Sequence, residues 1–83
     1  MFGCKSVFIV YKNMDDEVYV EEILCTKNPP ALNCLYLKKY FKKDNNECLG
    51  GFYSQNQAWL FAQNVKRKGN VGLVKNKQVF IIQ

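Results

Sequence analysis

The stretch VGLVKNKQVFII, residues 71–82, decides how a sheet can be built from this chain. Two apolar runs, VGLV and QVFII, flank Lys75-Asn76-Lys77, and the polar triplet reads as a turn. The stretch is therefore expected to be a β-hairpin. Its second strand, apolar from Val79 to Ile82, is expected deep in the sheet.

Just upstream, SQNQAWLFAQNVKRKG (54–69) has the marks of a helix. Ser54 followed by Gln57 is a capping-box pattern, in which each residue satisfies an open backbone donor of the first turn. Ala58, Phe61, Ala62 and Val65 recur at helical spacing and predict the buried stripe. Gly69 is placed to end the helix in a left-handed conformation. Lys66, Arg67 and Lys68 fall in the last turn, where the helix dipole favours each cation by roughly 0.3–1 kcal/mol. Leu60 points away from the stripe and Trp59 lies on its flank, so the pair marks an interaction surface.

Before it, Glu47–Tyr53 reads as a short strand, with Gly50-Gly51 signalling a bulge or a close backbone approach. Residues 30–43 read as a helix, with Asn28 as its cap and proline suited to its first position. Cys34, Leu37 and Phe41 share one side; Lys38, Lys39, Lys42 and Lys43 gather on the other. Leu35–Lys43 can also be drawn as a strand. Residues 5–12 are apolar and β-branched enough for a central strand buried on both faces. After the turn Asn13–Asp16, residues 17–25 give a second strand, whose adjacent Glu21 and Glu22 suggest a bulge or an edge. The expectation is a single α+β domain over residues 1–83. Its sheet is mostly antiparallel with two helices on one face, in the order β-β-α-β-α-β-β.

The chain has 83 residues, 48% of them hydrophobic, which supports one small core and argues against disorder. So small a core has a thin stability margin, and a homodimer would widen it. The apolar run Val7–Tyr11, flanked by Lys5 and Lys12, is far short of a membrane span. It lacks the cleavage site of a signal peptide, so a cytoplasmic protein with no membrane association is expected. The cysteines are Cys4, Cys25, Cys34 and Cys48, whose spacing fits no common disulfide framework. Buried thiols are expected in a reducing compartment.

Charge is divided along the chain. Residues 1–26 hold two lysines against five acids, while residues 27–83 hold ten basic residues against two acids. The chain has no histidine, which removes imidazole bases, Ser-His and Cys-His pairs and histidine metal clusters. It has no Gly-rich phosphate loop and no Cys-x-x-Cys pair. Neighbours on a strand face opposite sides, so Glu21 and Glu22 cannot act on one bond unless a bulge intervenes. No catalytic residue, metal or cofactor is expected.

LYLKKYFKK (35–43) supplies basic residues interleaved with aromatics. Lysines neutralise phosphates and aromatic rings stack on unpaired bases. Arg67 is the sole arginine, so reading of guanine edges in a duplex is weak. The expected function is a non-enzymatic binding module for nucleic acid or a nucleoprotein complex. Its footprint is Lys38, Lys39, Lys42, Lys43, Lys66, Arg67 and Lys68, joined by Tyr36, Tyr40 and Trp59. The alternative is a protein-binding inhibitor or adaptor anchored by Trp59, Leu60 and a sheet edge. In size, Asn/Lys richness and lack of enzymatic parts, the chain is similar to small proteins of phages and mobile elements, including anti-CRISPR inhibitors. That resemblance implies an inhibitor that blocks a host complex.

Overall fold

The computed structural model describes residues 5–33, 35–37, 46–65 and 71–81, with the backbone alone at 76–78. The strands are β1 (Lys5–Lys12), β2 (Val18–Cys25), β3 (Glu47–Phe52) and β4 (Gly72–Phe80), and the helix α1 spans Gln55–Val65. Residues 35–37 are also helical.

The four strands form one sheet in the order β3-β1-β2-β4. β1 pairs antiparallel with both β2 and β3, and β4 pairs parallel to β2. The sheet is thus mixed but mostly antiparallel. The α+β class holds.

Alternation along β1 and β2 divides the core in two. Val7, Ile9 and Tyr11 join Ile23, Cys25, Cys48 and Leu37 on one face. Phe8 and Val10 join Val18, Val20, Ala58, Ala62 and Val71 on the other. Ile9 and Ile23 are fully buried, and each such side chain contributes about 1.5–3 kcal/mol relative to exposure.

The expected placement of both helices on one face is corrected by this division. Leu37 closes the first face, and α1 covers the second with Ala58 and Ala62. The topology explains why. β2, β3 and β4 all run the same way, because β1 opposes both β2 and β3 and β4 follows β2. The chain steps from β2 to one edge, then from that edge back across the sheet to β4. Crossovers between parallel strands keep one hand. Two successive steps in opposite directions can share that hand only on opposite faces.

The C-terminal hairpin is also corrected. Gly72–Lys75 pair with Tyr19–Glu22, and Val79 and Phe80 pair with Leu24 and Cys25. Both halves follow β2 in one direction, and Lys75-Asn76-Lys77 meets a register shift instead of a turn. β2 offers both apolar flanks the same parallel neighbour, so the chain does not reverse between them. β4 is consequently an edge strand, and Val79 and Phe80 are only half-buried.

The N-terminal hairpin forms as expected. Asn13 organises its turn: its Oδ1 accepts the amides of Asp15 and Glu17, each at 2.9 Å. Asp16 closes the turn at φ 60°, in the left-handed region. Asp tolerates that region and a β-branched residue does not. Asp16→Val is expected to cost about 1–2 kcal/mol, while Asp16→Gly leaves stability level or higher. Urea titration of the two variants checks the order. The Lys12–Asp16 ion pair at 3.3 Å, which both variants lose, is exposed and worth little.

Three smaller corrections follow. Asn33, not Asn28, caps the first helical turn: its Oδ1 accepts the Tyr36 amide at 2.9 Å and its carbonyl accepts that of Leu37 at 3.1 Å. β2 is an inner strand and not an edge; its pairing with β1 runs without a bulge through Glu21 and Glu22, while its pairing with β4 shifts register just after Glu22. Val65 is 44% exposed, so the buried stripe of α1 ends at Ala62. The Ser54 half of the expected capping box is present, with the Gln57 amide 3.4 Å from Ser54 Oγ.

Candidate binding surface

The sheet has a distinct end. Glu47 at the start of β3 stands opposite Lys12, Lys12 stands opposite Val18, and Gly72 at the start of β4 stands opposite Tyr19. The two basic runs of the sequence lie just ahead of these strand starts in the chain: Lys38–Lys43 before β3, Lys66–Lys68 before β4. Lys38, Lys39, Tyr40, Lys42, Lys43, Lys66, Arg67 and Lys68 are outside the described residues.

The charge of the described residues is informative. They include five lysines (Lys5, Lys12, Lys27, Lys75 and Lys77) and six acids (Asp15, Asp16, Glu17, Glu21, Glu22 and Glu47). The sheet and α1 are thus a slightly acidic framework, and the net +5 of the chain comes entirely from the two basic runs. Part of the acidic charge is engaged locally. Asp16 meets Lys12, and Glu17 Oε1 accepts a hydrogen bond from Asn13 Nδ2 at 3.0 Å. Glu21 is 1% exposed.

The remaining candidates separate from one another. Tyr36 packs against the first core face, so its ring is part of the fold. Trp59 packs against the second. Leu60 is 61% exposed on the outer side of α1. Trp59 and Leu60 are adjacent in sequence, but the first is half-buried against the core and the second faces solvent.

One cluster went unnoticed in the sequence. Tyr11, Tyr19, Glu21 and Cys48 share the first face beside the row of strand starts. Tyr11 stands opposite Tyr19 on β2 and Cys48 on β3, and its ring stacks on Tyr19 at 5.6 Å between centroids. Asn46 Nδ2 donates to Tyr19 Oη at 2.6 Å. The period-two pattern of β1 and β2 places these residues on one side and was the signal available. Burial, with smaller contributions from Glu21, Cys48 and Tyr19, raises the pKa of the Tyr11 hydroxyl above its usual 10.0.

A raised tyrosine pKa favours the neutral ring in the folded state. Its contribution is complete below pH 10 and is lost as pH rises beyond it, because the unfolded chain ionises first. The melting temperature is expected to fall above pH 10, and Tyr11→Phe to fall less steeply over that range. Parallel alkaline limbs for the two proteins would count against this account.

Cys25 and Cys48 are buried thiols. Among the described residues no group of three metal-ligating side chains is present, and no helix is long and apolar enough to cross a membrane. No protein-family model, curated protein or solved structure matches the chain.

Proposed function

We propose that the protein is a non-enzymatic binding module that engages nucleic acid or a nucleoprotein complex through its two basic runs, and that it works in the cytoplasm. The observation that carries this reading is the segregation of charge. A slightly acidic sheet-and-helix framework bears two concentrated cationic segments that precede strand starts at one end of the sheet. Concentrated cations bind polyphosphate by releasing its condensed counterions. With a sole arginine, the binding is sequence-tolerant and suits unpaired strands better than duplex. The buried thiols fit a reducing compartment.

A second reading, a protein-binding inhibitor or adaptor, is favoured by Leu60, a large aliphatic side chain left 61% exposed on a helix. Titration of a single-stranded oligonucleotide at graded salt separates the two. Steep salt dependence that charge reversal of Lys38, Lys39, Lys42 and Lys43 removes supports the first. Binding to a macromolecule that ignores salt and that Leu60→Lys abolishes supports the second. Trp59 is unsuited to the test, because its truncation damages the core.

A further inference from the structure

The first half of β4 is left exposed beside α1. α1 packs on β1, β2 and β3 but not on β4. Gly72, Leu73, Val74 and Lys75 are all exposed, and Leu73 and Val74 are aliphatics that remain 37% and 44% accessible on opposite faces. A Cβ placed on Gly72 would meet nothing within 4 Å. Among the described residues, only the inner edge of this segment is laddered, to Tyr19–Glu22, and its outer edge is the margin of the sheet. Natural edges are blunted by bulges and lysines. Here the register shift comes only after Lys75, so Gly72–Val74 lie ahead of that protection. The opposite margin, β3, is shorter, half-buried along most of its length and broken by a bulge opposite Val10 and Tyr11.

We infer that this segment pairs with the same segment of a second copy of the chain, antiparallel, about a two-fold axis normal to the sheet. The geometry selects the register. Directly opposed residues must share a face. Leu73, level with Val20, lies on the α1 face, whereas Val74, level with Glu21, lies on the other. The axis must therefore pass beside a residue rather than between two. Centred on Leu73, the pairing sets Leu73 against the partner subunit's Leu73, and Val74 over the open space at the partner's Gly72. Lys75 then falls level with the partner's Val71, and no lysine opposes a lysine. Centred on Val74, it would set Leu73 against the partner's Lys75 and run into the register shift. In the Leu73-centred register the segment thus pairs with itself with no lysine meeting a lysine, as an isologous interface allows.

Sedimentation equilibrium of nucleic-acid-free protein is the test, so the outcome does not depend on the binding proposal above. The expected result is a species of twice the 9.7 kDa chain mass that dissociates on dilution. Leu73→Lys places two lysines face to face and is expected to weaken the dimer about tenfold or more. Leu60→Lys, an equal charge change on the exposed side of α1, leaves it intact. Hydrogen exchange on the unaltered protein supplies a measurement that needs no variant: amides within 72–75 should slow as concentration rises. A 9.7 kDa mass up to millimolar concentration overturns the inference. So do equal effects of the two substitutions, or exchange at 72–75 that ignores concentration.

Discussion

Gly51→Ala is expected to cost about 1–3 kcal/mol of stability, while Gly50→Ala, one residue earlier, is level or gains about 0.5 kcal/mol. Both glycines lie in β3 with ordinary strand backbone, so the difference comes from space alone. A Cβ on Gly50 would sit 3.5 Å from the Phe52 ring and 3.7 Å from Phe61, which is ordinary van der Waals separation. A Cβ on Gly51 would sit 2.5 Å from Leu37 Cδ1 and 3.4 Å from the Leu32 carbonyl oxygen. Leu37 is 1% exposed among Val7, Ile9, Tyr11 and Ile23, so a shift of its methyl must be absorbed by a packed core. Overpacking at such a point forces a strained rotamer or a backbone shift. Leu37→Ala alone is expected to lose about 2–5 kcal/mol by leaving a cavity. In the double variant the new methyl occupies part of that cavity. The combined loss should therefore fall short of the sum by about 0.5–3 kcal/mol. Urea unfolding of the four proteins measures this. Strict additivity would mean that Gly51 and Leu37 do not press on one another.

This pair also marks how far the sequence could be read. Gly50-Gly51 announces a bulge or a close approach, and β3 contains both: Val10 pairs with Gly50 and Tyr11 with Cys48, which leaves Leu49 extra. The doublet cannot say which glycine serves which purpose, because the partner, Leu37, is remote in the chain. Local signals were dependable where their cause is local. The continuous apolar run of β1, the Asn13 turn and the Ser54 cap all appear as read. Errors arose where a distant strand decided the outcome. Lys75-Asn76-Lys77 looks like a turn until β2 offers both flanking apolar runs the same parallel neighbour. Glu21 and Glu22 look like an edge pair until β4 is placed outside β2. Trp59 and Leu60 read as one patch, yet the core draws in the first and leaves the second in water. For the candidate site, the charge asymmetry was legible in the sequence. The structure adds that β3 and β4, the strands after the two basic runs, begin at a common end.

The affinity of the protein for a single-stranded oligonucleotide is expected to fall roughly a thousandfold between 50 and 200 mM salt. Seven cations, Lys38, Lys39, Lys42, Lys43, Lys66, Arg67 and Lys68, are available to the two basic runs. At about 0.7 released counterions per neutralised phosphate, full engagement gives a log–log slope near −5 on single strands. Reversing Lys38, Lys39, Lys42 and Lys43 to glutamate removes four of those phosphate partners and should flatten the slope to about −2. The fold is expected to survive, since Leu37, the last described core residue before this run, retains its packing. Reversing Lys66, Arg67 and Lys68 should flatten the slope by about 2. The two sets differ in number and not in kind, so their effects on slope should add, because each neutralised phosphate releases its own share of counterions. Leu60→Lys adds a positive charge outside either run and should leave the slope unchanged or slightly steeper. An interface carried by buried apolar anchors would behave in the opposite way: flat with salt, indifferent to the glutamates and abolished by Leu60→Lys. The sign of the Leu60→Lys effect therefore decides between the two modes even if the absolute affinity is weak.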